Sequence, residues 1–174
     1  LYGSRGHLGD DGANSFVSVS TARSHGRDIY LREFDAPAFD SARSAGVSNG
    51  NDSTRNVRLF GRLAGEQAWL QGLLVTADKR DPLASYGSVF NGRLLLSETL
   101  GALEAGIDHN LGDGAQVTAR AYLFNVAEQG DYPYTFSGER VPPADYINVS
   151  DLSSRQFGME LRYDRFFSNG HHLL

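Results

Sequence analysis

The sequence predicts an all-β chain, an antiparallel up-and-down hairpin meander whose two faces meet different surroundings. Three observations carry this reading. Residues 156–167 (QFGMELRYDRFF) set Phe157, Met159, Leu161 and Tyr163 against Gln156, Gly158, Glu160, Arg162 and Asp164. Side chains alternate along a strand, so this stretch has an apolar ribbon on one side and a row of ions on the other. Comparable runs recur along the chain, each near or above the roughly 9–11 residues of a tilted membrane-crossing strand. The connections between them alternate short with long.

The elements follow in order. Residues 15–23 (SFVSVSTAR) place Val17, Val19, Thr21 and Arg23 opposite Phe16, Ser18, Ser20 and Ala22. Residues 57–64 place Val57, Leu59 and Leu63 opposite Arg58, Phe60 and Arg62. Residues 69–77 (WLQGLLVTA) are β-like with ambiguous facing, and Trp69, Leu73 and Val75 are expected to face outward with the apolar set. Residues 99–109 place Leu103, Ala105 and Ile107 opposite Glu104, Gly106 and Asp108. Residues 116–126 place Val117, Ala119, Ala121 and Leu123 opposite Gln116, Thr118, Arg120 and Tyr122.

Short connections are expected at residues 8–14, 64–68, 111–115 and 167–172, where Asp-Gly and Asn-Gly pairs allow the positive φ of tight hairpins. Long loops are expected at about 24–55, 78–96 and 128–154, which are rich in Gly, Ser, Asp, Asn, Pro and Tyr. Outer-membrane barrels have this asymmetry of short turns at one rim and long loops at the other. The apolar ribbon would then face lipid and the ionic row a wet lumen. Arg58, Arg62, Glu104, Arg120, Glu160 and Arg162 are the lumen-facing charges, joined by Glu98 and Asp164, with both signs available for pairing across strands. Small Ala119 and Ala121 are acceptable against fluid lipid. Tyr163, Phe166, Phe167 and Trp69 fall near the short-turn ends, where an aromatic girdle would lie.

Composition agrees with this and excludes other classes. The chain has 174 residues, net charge −5, 40% apolar residues and no cysteine; its mean hydropathy is −0.36. No run approaches the roughly 20 apolar residues of a spanning helix. The negative charge argues against a nucleic-acid partner. Disulfides and cysteine-held metals are excluded. Lys79 is the only lysine, and arginine suits fixed ion pairs.

No catalytic motif is present: no Gly-x-Ser-x-Gly elbow, Walker loop or His-Glu-x-x-His. Neither enzyme activity nor a cofactor or metal is expected. The oxygen-rich run 48–54 lacks the ordered ligand spacing of a calcium loop. The suggestive chemistry lies in residues 79–92 and 128–143, which concentrate Tyr, Phe, Pro, Asp and Arg, residue types common in recognition surfaces.

Residues 78–91 (DKRDPLASYGSVFN) resemble a strand-to-loop passage in one group of TonB-dependent outer-membrane receptors. Residues 130–134 (GDYPY) resemble a second marker of that group, and 28–35 (DIYLREFD) are similar to an earlier loop. Order and spacing agree, so the resemblance covers most of the chain. It implies a segment of a 22-stranded barrel with an N-terminal plug, importing a siderophore, vitamin or carbohydrate with TonB-derived energy.

The implied partners are outer-membrane lipid, the plug domain of the same full-length chain, the TonB complex through that plug, and a small-molecule nutrient. Tyr86, Phe90, Asp131, Tyr132 and Tyr134 are the expected ligand-side residues. The resemblance does not reach a plug, a TonB-contacting segment or a closing C-terminal strand. Leu1 falls mid-pattern and residues 171–174 begin another apolar run, so residues 1–174 are expected to be a partial barrel of about six full strands within a longer chain. The alternative is a complete eight-stranded outer-membrane barrel with a structural or adhesive role.

Overall fold

The computed structural model describes residues 1–8, 12–35, 45–138, 141–167 and 171–173, without the side chains of 136–144. The chain is an antiparallel meander. Its strands are β1 (Tyr2–Leu8), β2 (Asn14–Ser24), β3 (Ile29–Tyr30), β4 (Val47–Ser48), β5 (Thr54–Ala64), β6 (Ala68–Asp81), β7 (Leu94–Gly112), β8 (Ala115–Gly138), β9 (Val141–Phe166) and β10 (His172–Leu173). Eight form one sheet in the order β1-β2-β5-β6-β7-β8-β9-β10, and β3 with β4 makes a small hairpin inside the first long loop. Among the described residues β1 and β10 do not pair, so the sheet is open. No helix there is long and apolar enough to cross a membrane.

Register fixes which residues share a face, because directly opposed residues in an antiparallel pair point the same way. Leu63 opposes Leu70, Ala105 opposes Ala121, and Ala121 opposes Met159. The alternation read from the sequence therefore lines up across strands into one apolar face. It carries Val17 and Val19 on β2, Leu59 and Leu63 on β5, Leu70 and Leu74 on β6, Leu103 and Ile107 on β7, Leu123 on β8, and Phe157, Met159 and Leu161 on β9. All of these are exposed. The edge strand β1 breaks the pattern: Arg5 opposes Val17 and His7 opposes Ser15 on this face.

Residues 69–77 face the other way from expectation. Trp69 opposes Gly106, and Leu73 opposes Ala102, so Trp69, Leu73 and Val75 lie on the ionic face while Leu70 and Leu74 join the apolar one. Gln71 shares the parity of Trp69 and Leu73, and a polar residue in that set was the available signal. The ionic face thus has an apolar row of its own, Phe60, Leu73, Ala102 and Phe124, each directly opposing the next and half-buried. Trp69 is not part of an outward girdle, and Phe166, stacked on His172 at 4.1 Å, lies on the ionic face as well.

The short connections occur where expected. At Asp113-Gly114 both central residues have positive φ (50° and 72°), the type I′ geometry whose twist matches a hairpin. Residues 9–11 and the Asn169-Gly170 pair lie outside the described residues.

Two long loops are shorter than expected, spanning 25–53 and 82–93, and the third is absent as a loop. Residues 128–154 instead continue β8 and β9, which pair from Ala115↔Arg165 out to Phe136↔Ala144 and Gly138↔Val141. Proline argued against a strand there, since it cannot donate to the ladder. Pro133 opposes Ile147 on β9, but its carbonyl accepts the Val89 amide at 2.7 Å on the other side. A residue's N–H and C=O point to the same side of a strand, so the missing donor of Pro133 faces the 82–93 loop and costs no ladder bond. The β-formers around it (Tyr132, Tyr134, Thr135, Tyr146, Ile147, Val149) then set the local structure.

Candidate functional site

The ionic face carries a continuous polar ladder across five strands. Arg62 Nη1 donates to Gln71 Oε1 at 3.0 Å, and Gln71 Nε2 donates to Glu104 Oε2 at 2.8 Å. Arg120 Nη1 bonds Glu104 Oε1 at 3.2 Å while its Nε and Nη2 engage Glu160 Oε2 at 2.7 and 2.6 Å. The chain thus runs β5–β6–β7–β8–β9 with Arg120 as its hub. A planar guanidinium can serve two carboxylates on neighbouring strands at once, which an ammonium point charge does less well. Nearby, Thr118 donates to Asp108 at 2.7 Å, and Arg162 bonds Asp164 at 2.7 Å.

Two rings floor this ladder. Trp69 lies across Gly106, with the Arg62 guanidinium 5.5 Å from the ring centroid. Tyr122 lies across Gly158, with Arg120 at 6.0 Å. A Cβ at either glycine would run into the ring. The glycines let the aromatics lie flat on the neighbouring strand, where they cover backbone and present a π-face to the arginines.

The apolar face is bare, and most charges of the ionic face (Arg58, Arg62, Arg120, Glu160 and Arg162) are exposed as well. On the central strand β7, Leu103 and Ile107 are 51% and 50% exposed, whereas the Glu104 side chain between them is only 23% exposed. Soluble domains rarely leave so large a contiguous apolar surface bare.

All six predicted lumen charges (Arg58, Arg62, Glu104, Arg120, Glu160 and Arg162) lie on this ionic face. Glu104 and Glu160 act as members of a charge ladder. Gln71, Trp69 and Tyr122 complete the arrangement, and the sequence reading did not single them out for it.

The Arg120→Met variant should leave Glu104 and Glu160 without a cation. The groups are partly exposed, so screening discounts the loss. A small but measurable fall in the equilibrium unfolding midpoint is expected. Arg120→Lys should lose less, because the charge remains and only the fork goes.

The second constellation sits at the long-loop end. Tyr132 is about 30 Å along β8 beyond Leu123, the last large apolar residue of the band on that strand. Tyr86 lies in a 3-10 turn (Ser85–Gly87), is exposed, and has φ 59°. Its ring meets Tyr132 edge-on at 5.6 Å, and its carbonyl accepts the Tyr134 hydroxyl at 3.2 Å. Tyr134 stacks on Tyr146, its register partner, at 5.6 Å. Three of the predicted ligand-side residues (Tyr86, Tyr132 and Tyr134) therefore converge, with Tyr146 as a fourth member. The alternation of Tyr146-Ile147-Asn148-Val149 could have announced it.

Phe90 and Asp131 stand apart. Phe90 stacks on Phe34 at 4.3 Å and joins the two long loops. Asp131 opposes Leu95, on the opposite face of β8 from the tyrosines.

The loops brace one another through polar groups. Asn51, 5% exposed, donates its side-chain amide to both the backbone and side-chain oxygens of Asn91, and the Asn49 amide donates to Asn91 Oδ1 at 3.2 Å. Gly50 N donates to Asp28 Oδ1 at 2.9 Å. The amide groups of Asn49, Gly50 and Asn51 thus serve loop structure. Tyr30 donates to Asp35 at 2.7 Å, and that carboxylate pushes the phenol pKa up.

Comparison of the chain with protein-family models, with curated proteins and with solved structures gives no match.

Proposed function

We propose that this chain is part of the barrel wall of a TonB-dependent outer-membrane receptor that imports a scarce small-molecule nutrient. The observation that carries the reading is the bare apolar face backed by a polar ladder. A contiguous apolar face stands bare across β2 and β5–β9, while a hydrogen-bonded ladder of ions crosses the other face. Hydrocarbon against the first and an aqueous, plug-filled interior against the second would satisfy both.

In this arrangement the Arg62–Gln71–Glu104–Arg120–Glu160 ladder faces the interior, held by its own hydrogen bonds before any plug arrives. The half-buried row Phe60, Leu73, Ala102 and Phe124 offers an apolar strip beside it against which a plug domain can pack. The tyrosines at the long-loop end form the ligand side, with rings for stacking and hydroxyls for directed hydrogen bonds. The resemblance of residues 28–35, 78–91 and 130–134 to such receptors supports the transport reading. The eight-stranded sheet matches the strand count of a small complete barrel, but β1 and β10 do not pair among the described residues.

Adjacent residues on β9 provide the test. Nitroxide labels at Met159 and Glu160, in protein reconstituted into vesicles, should report different media. Met159 should be quenched by oxygen dissolved in hydrocarbon, and Glu160 by a polar nickel complex. Two labels in the same medium would overturn the proposal.

A further inference from the structure

One cluster of charges belongs neither to the ladder nor to the tyrosines. It lies on the apolar face, at the upper border of the exposed band. On β5 the residue that follows Val57 on this face, toward the long loops, is Arg55. Arg55 is directly opposed by Arg23 on β2 and by Asp78 on β6. Arg80 follows Asp78 on the same face, and its amide donates to Ser53 O at 2.9 Å, which fixes it diagonally across from Arg55. His25 and Leu95 also line the resulting open groove, about 510 Å³ in volume.

A directly opposed Arg–Arg pair is repulsive and destabilises a sheet unless something neutralises it. Asp78 is the register partner of Arg55, yet among the described residues no hydrogen bond or ion pair joins it to either guanidinium. None of the three guanidiniums has an ion-pair or hydrogen-bond partner among the described residues. Asp78 accepts from Ser97 Oγ at 2.9 Å. Three guanidiniums against one carboxylate leave two positive charges in excess, side by side, at the top of an apolar surface.

We propose that Arg23, Arg55 and Arg80 form a binding site for a phosphorylated glycolipid of the surrounding outer leaflet. Its phosphates would lie in the groove and its acyl chains along the apolar face below. The charge excess selects the headgroup: a phosphomonoester carries about −1.5 to −2 and matches two net positive charges, where a carboxylate brings only one. The arginine fork suits phosphate oxygens bidentately. Position selects the lipid over a soluble phosphate, because below the arginines this face continues through the row Thr21, Val57 and Thr76 to the apolar row Val19, Leu59 and Leu74. The inference rests on the proposed membrane orientation, in which the long-loop rim is the outer one.

The test uses the whole receptor that contains this wall segment, reconstituted in neutral detergent or vesicles and titrated with bisphosphorylated lipid A. Binding is read by native mass spectrometry or with a fluorescent lipid A. The triple variant Arg23→Gln, Arg55→Gln, Arg80→Gln should bind about tenfold or more weakly. Dephosphorylated lipid A should bind the parent chain as weakly as lipid A binds the triple variant. A variant with the same charge loss elsewhere (Arg27→Gln, Arg32→Gln, Arg93→Gln) should retain binding, which separates a built site from bulk electrostatics. If the triple variant does not fold, Arg23→Gln alone, which relieves the like-charge pair, should still weaken lipid A by several-fold.

Equal binding by parent and variants would overturn the inference, as would inorganic phosphate competing as effectively as lipid A. The spin labels at Met159 and Glu160 in the same preparation distinguish the two failures. Different media with no arginine dependence would remove this site alone, and a common medium would remove the wall reading with it.

Discussion

The Leu103→Arg variant is expected to lose about 2–4 kcal/mol of stability in vesicles, the cost of an arginine at mid-depth on a lipid-facing barrel strand. Leu103 lies on the central strand β7 in the middle of the bare apolar band and is 51% exposed. In an aqueous setting, an arginine at so exposed a position could keep its hydration. In hydrocarbon it must drag water or headgroups inward, or remain unsolvated. Gln156→Arg, on the opposite face of β9 and also exposed, should stay within about 0.5 kcal/mol of the parent. Equilibrium unfolding of both proteins in vesicles gives the comparison. Similar losses for the two would mean that the faces do not meet different media.

Under the proposed transport reading, the largest effect on uptake is expected at the tyrosines. In the whole receptor, Tyr132→Ala and Tyr134→Ala should each lower ligand uptake about tenfold or more at unchanged expression, the scale of an aromatic anchor in a recognition site. Tyr134→Phe removes only the hydroxyl that reaches the Tyr86 carbonyl at 3.2 Å, and its loss should be smaller. Asp131→Asn should leave uptake close to the parent, since Asp131 faces away from the cluster with Leu95. Uptake unaffected by both alanine variants would remove Tyr132 and Tyr134 from the ligand side. Asp131 as sensitive as the tyrosines would mean that the ligand is bound from the other face of β8.

The contrast between Asp131 and its neighbours shows how a local reading goes astray. Tyr132, Tyr134 and Asp131 are adjacent in sequence and share a recognition-like composition, which groups them. A strand separates neighbours onto opposite faces, so the grouping holds only for residues two apart. Treating 128–154 as a loop concealed this separation. Pro133 is part of the loop-like composition of that segment, and the bond from the Val89 amide of the 82–93 loop to its carbonyl shows why a proline is harmless there.

Trp69 went astray for a related reason. Residues 69–77 carry large apolar side chains on both faces, so period-two alternation alone does not orient them. Register does: once Ala64 opposes Trp69 and Trp69 opposes Gly106, its face is fixed by strands whose own alternation is unambiguous. A bare glycine opposite a tryptophan is a cross-strand fact that neither segment displays by itself.

The sequence by itself determined the all-β character, the order of the long hairpins, the tight turns at the short rim and the side of the sheet for each of the six charges. These depend on side-chain period and on turn residues, both of which are local. Tertiary structure alone decided how far β8 and β9 run, that Gln71 bridges Arg62 to Glu104, that Arg120 serves two carboxylates, that Tyr146 joins the tyrosine cluster, and that Arg23 and Arg55 stand directly opposed. Each of these is a pairing between strands, set by register, and register is a property of two segments that neither carries alone.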